Sequence, residues 1–336
     1  MRTIAWREEN GGFIQLLDQR RLPESATQLD VTSNEELINA IQNLAVRGAP
    51  ALGVAGALGV ALIAHRAESE SWSKDDIERA ISQLREARPT AVNLAWGVDL
   101  AKGQLTNGPA AVLKLALKLA EDDAKSCREM GRIGADYLIE KLGKKKLRIL
   151  THCNTGALAT TEWGTALGVV RELHSRGLIE EVFADETRPL LQGSRLTAWE
   201  LAQAGIPYRI LPDGAAASAL FSGLIDAVLI GADRIARNGD SANKIGSLSV
   251  AVAASQVAVP FLVVAPESTV DRNIESGEHI EIEFRSDSEV TTFAGVNTAP
   301  AGSKTYNPAF DVTPARYITA VVTDKKVYRV KDGEAL

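Results

Sequence analysis

The chain has 336 residues, 45% of them hydrophobic and 24% charged, with a formal net charge of -6. That length accommodates two domains, and that composition belongs to a folded globular chain and excludes disorder. The acidic balance speaks against nonspecific nucleic-acid binding, and the one dense basic run, KLGKKKLR at 141–148, reads as a solvated helix end. Two cysteines, Cys127 and Cys153, are too few for a disulfide framework and suit a reducing cytoplasm. The opening MRTIAWREENGG has no apolar signal core, so a cytoplasmic protein with no membrane partner is expected.

The segment IAWREENGGFIQLLD predicts a β-hairpin turning at Asn10, Gly11 and Gly12. Ser33, with Glu36 three residues on, predicts an N-cap for a helix running through Leu44. The apolar stretch 49–64 is punctuated by Gly53, Gly56 and Gly59; it is too short to span a bilayer and reads as a buried helix. Further helices are predicted after Pro50, Ser73 and Pro89, and 109–142 forms a long helical run. Beyond Lys146 the period changes to short apolar segments, LRILTH, EEVFAD, PYRILP, DAVLIG, PFLVVAP and AVVTDK, separated by helical patterns. This is an α/β chain: a mostly helical N-terminal domain with a short β-hairpin, 1–120, then a Rossmann-like parallel-sheet domain, 121–336, with the boundary inside 109–142.

In an open α/β sheet the residues after successive strands share one edge and line one crevice. Cys153 follows the first strand, Asp185, Glu186 and Arg188 the second, Asp213 the third and Asp233 the fourth. Cys153, in HCNTGALAT, is placed between a strand and a following helix whose free N–H groups favour an anion; a buried apolar role is the alternative. Asp233 is a strand-end carboxylate that burial would suit to general-acid work, or one that caps a turn or pairs with Arg234 or Lys244. Arg47, Gly48 and Ala49, before Pro50, make an anion pocket at a helix start, and Arg88 before Pro89 repeats the device. Gln192 suits a sugar hydroxyl, while Asn243 and Lys244, after the NGD turn, suit a hydroxyl or phosphate. The GVAGALG run follows helical sequence, so it is no dinucleotide fingerprint. Four scattered histidines match no zinc spacing, and neighbours His152 and Cys153 point to opposite faces of a strand, which disfavours a Cys–His pairing.

The segments RGAPALGVAGA, RPTAVNLAWGVD, ILTHCNTGALATTEWGTALGVV, FADETRPLLQGSRLTAWEL, GADRIARNGDSANKIGS and YNPAFDVTPARYIT, in this order, closely resemble the methylthioribose-1-phosphate isomerases of methionine salvage. The resemblance covers nearly the whole chain. It implies an aldose–ketose isomerase converting 5-methylthioribose 1-phosphate to 5-methylthioribulose 1-phosphate, without a cofactor or metal, acting as a homodimer on a small sugar phosphate. It further implies Cys153 and Asp233 as the catalytic pair, Asp233 as proton donor, with Arg47, Gly48, Ala49, Arg88, Gln192, Asn243 and Lys244 binding substrate. Two alternatives stand beside it. One is a sibling isomerase of 5-deoxyribose 1-phosphate or ribose 1,5-bisphosphate; the other is a non-catalytic subunit like those of initiation factor 2B, which share the fold.

Overall fold

The structure is a computed structural model that describes residues 1–143 and 145–336. In the basic run, Lys141, Lys145 and Lys146 are exposed as expected, and Lys144 lies outside the described residues. The chain divides into two compact units, one of Met1–Arg128 with Gly156–Gly164, the other of Glu129–Thr155 with Thr165–Leu336.

In the first unit, β1 (Ile4–Arg7) and β2 (Phe13–Leu17) form the expected hairpin, with Ile4 opposite Leu16 and Trp6 opposite Ile14. A third antiparallel strand, β3 (Gln28–Val31), was not evident from the sequence, since its QLDV pattern keeps only Val31 buried. Helix α1 (Asn34–Gln42) starts at a complete capping box, the Ser33 hydroxyl accepting from Glu36 N and the Glu36 carboxylate from Ser33 N, a pairing worth about 1 kcal/mol. It ends before Leu44, whose φ of 60° is left-handed.

Helix α2 (Ala49–Glu70) is long and apolar enough to cross a membrane by length and composition, yet 78% of its most apolar stretch is buried inside the protein. Its glycines let neighbours approach closely: a Cβ on Gly56 would lie 2.7 Å from Leu94 O, and one on Gly59 would meet Leu37 and Leu84. Helix α3 (Lys74–Arg85) is capped by Ser73. Helix α4 (Val92–Lys102) begins later than Pro89 suggested, because 88–91 forms a turn with Ala91 N bonded to Arg88 O. Helix α5 (Pro109–Leu142) then runs unbroken across the boundary between the units.

The second unit carries β4 (Leu147–Thr151), α6 (Ala166–Ser175), β5 (Ile179–Asp185), α7 (Ala198–Gln203), β6 (Tyr208–Leu211), α8 (Ala216–Phe221) and β7 (Ala227–Ile230). After them come β8 (Arg234–Ala236), β9 (Ser241–Lys244), α9 (Ser247–Gln256), β10 (Phe261–Val264), β11 (Val270–Asp271), α10 (Asp287–Thr291), β12 (Thr292–Phe293) and β13 (Val296–Asn297). The unit closes with β14 (Phe310–Thr313), β15 (Ala320–Val322) and β16 (Val327–Tyr328). Seven strands form one sheet in the order β16-β15-β10-β7-β4-β5-β6, parallel except for β16. The chain enters at β4, steps outward to β5 and β6, then returns to β7 on the other flank. Strands β4 and β7 therefore bracket the topological switch point, where the carboxyl ends of such a sheet open a crevice. A smaller sheet, β11-β8-β9-β14, continues from the end of β7.

Candidate active site

Cys153 leaves β4 and Asp233 leaves β7, so the two strands beside the switch point deliver these side chains to one sheet edge. The expectation that a helix follows Cys153 directly is not met. The chain makes a separate excursion at 156–164, and α6 starts only at Ala166. Cys153 is 5% exposed and has a left-handed φ of 64°. A non-glycine residue there is held by its surroundings at a cost of about 1–2 kcal/mol.

Two threonines do the holding. Cys153 N donates to Thr187 Oγ1 at 2.9 Å, and Thr197 Oγ1 donates to Cys153 O at 2.6 Å. Thr187 is itself left-handed (φ 64°), and its backbone N, with that of Arg188, donates to the Asp213 carboxylate at 2.7 Å each. Gln192 lies between these threonines in sequence. It is 4% exposed, and its Oε1 is buried without a hydrogen-bond partner. An acceptor in that state awaits a donor.

Asp233 is half-buried and tied by its backbone N to Ala242 O at 2.9 Å, across the β8–β9 hairpin that turns at the expected NGD. Its neighbour Arg234 faces Asp271 at 3.7 Å. The next residue on the far strand, Asn243, is buried and donates to Ser247 Oγ at 2.8 Å. Lys244 does not open a helix, as the sequence suggested; it ends β9, donates to Ala309 O at 2.8 Å and lies 4.3 Å from the Phe310 ring centroid. Both pair with β14, Asn243 opposite Asp311 and Lys244 opposite Phe310.

His152 is the buried centre of this edge. Its Nδ1 is 2.9 Å from Asp185 Oδ2 and its Nε2 is 2.8 Å from Ile245 O, so the ring is committed to partners other than Cys153. His152, Asp185 and Asp213 place ligand atoms within 4.8 Å of one another, a grouping the scattered histidines did not foretell. Nδ1 and Oδ2 stand at hydrogen-bond distance, which accounts for the contact without an ion. Burial, the strongest influence on His152, disfavours its charged form, but the hydrogen bond to Asp185, that carboxylate's charge and the Ile245 carbonyl together raise the imidazole pKa.

The remaining expected site residues lie in the first unit. Gly48, at the N-cap of α2 with φ 98°, has no room for a side chain, since a Cβ would lie 2.5 Å from Ala159 Cα. Arg47 and Ala49 beside it in sequence, and Arg88, are half-buried, with Pro50 in the first turn of α2 as expected.

A family model, the Initiation factor 2 subunit family, matches residues 45–328. A methylthioribose-1-phosphate isomerase from Anaeromyxobacter sp. is 48% identical over 96% of this chain and 93% of its own. The chain belongs to this family, among its methylthioribose-1-phosphate isomerases. A probable bifunctional methylthioribose-1-phosphate isomerase/methylthioribulose-1-phosphate dehydratase from Nocardia farcinica is 50% identical over 97% of the chain, which spans only 58% of that longer relative. Among solved structures, the 5-methylthioribose 1-phosphate isomerase of Pyrococcus horikoshii superposes with a TM-score of 0.88 at 39% identity, covering 98% of this chain and 92% of its own. A structure described as translation initiation factor eIF-2B subunit delta from A. fulgidus does so at 0.84, also with 39% identity, covering 98% and 96%.

The sequence marks Asp185 and Asp213 only as strand-end acids and gives Thr187 and Thr197 no part. A buried threonine beside a strand-end acid carries no local pattern; only the hydrogen bonds to the Cys153 backbone reveal its use.

Proposed function

We propose that the chain is an aldose–ketose isomerase of methionine salvage that converts 5-methylthioribose 1-phosphate to 5-methylthioribulose 1-phosphate. The observation that carries the site assignment is the clamped Cys153, its N and O held by Thr187 and Thr197, which flank in sequence Gln192 with its unsatisfied Oε1. In this reading Cys153 and Asp233 are the catalytic pair, and the resemblance assigns Gln192, Asn243, Lys244, Arg47, Gly48, Ala49 and Arg88 as substrate ligands.

Phosphate on C1 prevents the spontaneous ring opening of a free aldose, so the enzyme must open a glycosyl phosphate. Asp233 donates its proton to the ring oxygen as the bond from C1 breaks, leaving positive character at C1. Hydrogen then moves from C2 to C1. Cys153 either takes the C2 proton, giving an enol phosphate to which it returns that proton at C1, or supports direct hydride migration beside it; on both routes the C2 hydroxyl gives up its proton as the C2 ketone forms, and that proton restores the Asp233 carboxyl. Gln192 Oε1 accepts from a sugar hydroxyl, which supplies the missing partner.

The test is a coupled assay of purified protein with 5-methylthioribose 1-phosphate, 5-deoxyribose 1-phosphate and ribose 1,5-bisphosphate. Preference for the first is expected, with Asp233→Asn and Cys153→Ala each losing at least about 100-fold in kcat. Preference for another sugar moves the reading to a sibling isomerase. No turnover by folded protein moves it to a non-catalytic subunit. We further infer a cytoplasmic homodimer; sedimentation at the mass of one chain, 35.9 kDa, would exclude the dimer.

A further inference from the structure

The buried His152–Asp185 pair has no part in the chemistry above, yet its bonds reach both halves of the site. His152 immediately precedes Cys153, and Ile245, whose carbonyl meets Nε2 at 2.8 Å, immediately follows Lys244. A carbonyl oxygen only accepts, so Nε2 carries the hydrogen and donates it. The other nitrogen meets Asp185 Oδ2 at 2.9 Å, which fixes the plane of the ring. Both side chains are 1% exposed. Backbone after β9 lies close against the imidazole: Gly246 has φ 107°, and a Cβ there would lie 2.8 Å from His152 Cε1. Beyond the turn, Asp311 accepts from Gly246 N at 2.8 Å and Leu248 N at 3.1 Å, so Ile245 is held from its far side too.

Resting on the isomerase reading, we propose that His152 is a positioning residue: its Nε2–H···O=C tether to Ile245, oriented by Asp185, sets the distance between Cys153 and the Asn243–Lys244 end of β9. A buried polar pair contributes little net stability compared with apolar packing of the same volume. Its effect is geometric instead. One imidazole spans a strand end and a hairpin end that no backbone ladder joins. Displacing a reacting group by about 1 Å costs on the order of 100-fold in rate.

Two variants separate the tether from the fold. In His152→Gln the terminal amide stands where Nε2 stood and still donates to Ile245; in His152→Asn the shorter amide stands at the Nδ1 position, keeping Asp185 and losing Ile245. The expected result is a kcat within about 5-fold of wild type for His152→Gln and a loss of about 100-fold for His152→Asn, with KM changed less than about 3-fold in both. Equal losses in the two variants, or wild-type kcat in His152→Asn, overturn the proposal. Imidazole 15N shifts of the wild-type protein test it independently of activity and of variant folding. A protonated Nε2 throughout pH 6–9 is expected, and an unprotonated Nε2 overturns the tether. Wild-type protein that turns over no sugar phosphate instead overturns the isomerase reading, and the positioning role with it, while the 15N shifts still decide whether the tether exists.

Discussion

Gln192 is a side chain whose oxygen has a worse environment in the folded protein than in water. Its Oε1 is buried without a partner, a situation that costs about 1–3 kcal/mol. The substitution Gln192→Leu keeps the shape and removes the unsatisfied oxygen. We expect its melting temperature to equal or exceed that of wild type, while kcat/KM for the sugar phosphate falls by about 5- to 150-fold. Thermal melts and steady-state kinetics on the same sample check both halves; a lower Tm with unchanged kinetics would make Gln192 a structural residue. The opposing signs distinguish a ligand-facing amide from a core amide.

Helices α2 and α4 come into backbone contact where Gly97 faces Gly53. A Cβ on Gly97 would sit 2.0 Å from Gly53 O, with no flexible atom to move aside. Gly97→Ala is therefore expected to cost about 1–3 kcal/mol, or a few degrees in Tm, with little change in KM. Differential scanning calorimetry beside Gly103→Ala, where the nearest atom is 3.4 Å away, provides the control; equal melts would show that α4 slides freely. At this scale much was legible in the sequence. The Ser33–Glu36 box, the glycine turn of the first hairpin and the apolar strands β4, β5, β7 and β10 all follow from patterns a few residues long. What escaped was non-local: β3 exists because β2 offers it an edge, and β14 because β9 does. The site followed the same division. Strand ends point to Cys153 and Asp233 as candidates, whereas the Thr187 and Thr197 clamp and the His152 bonds depend on residues 33 to 93 positions apart.

For the whole molecule, the segment Gly156–Gly164 is the telling piece, since it belongs to the first unit although both its flanks belong to the second. Within that unit Asp123 anchors it, accepting from Thr161 N at 2.8 Å and Thr161 Oγ1 at 2.6 Å, while Gln19 donates to Leu158 O at 2.7 Å. Burial is the largest influence on Asp123 and raises its pKa, against the donors of Thr161 and Cys127, which lower it. A carboxyl with a raised folded pKa binds its proton more tightly in the native state. Its contribution to stability is therefore full below the unfolded value of about 3.9 and is lost as pH rises through the folded value. Asp123→Asn, which carries no such charge, should gain ground on wild type as pH increases. Urea midpoints of both proteins at pH 4.5 and 7.5 measure this, and a difference that moves the other way would show that Asp123 is stabilised as a carboxylate.

The same excursion has a consequence for how the protein is made. The first unit is not covalently complete when Arg128 has been added; it waits for the residues through Gly164, 36 positions later (164 − 128). At ribosomal rates of about 5–20 residues per second, that is a delay of roughly 2–7 s. During it Thr3, Gln19 and Asp123 face solvent or a chaperone in place of the Leu158 and Thr161 groups they will finally bind. The strand β4 emerges within this same interval, so the first unit and the start of the second unit's sheet become available together during translation, not one after the other.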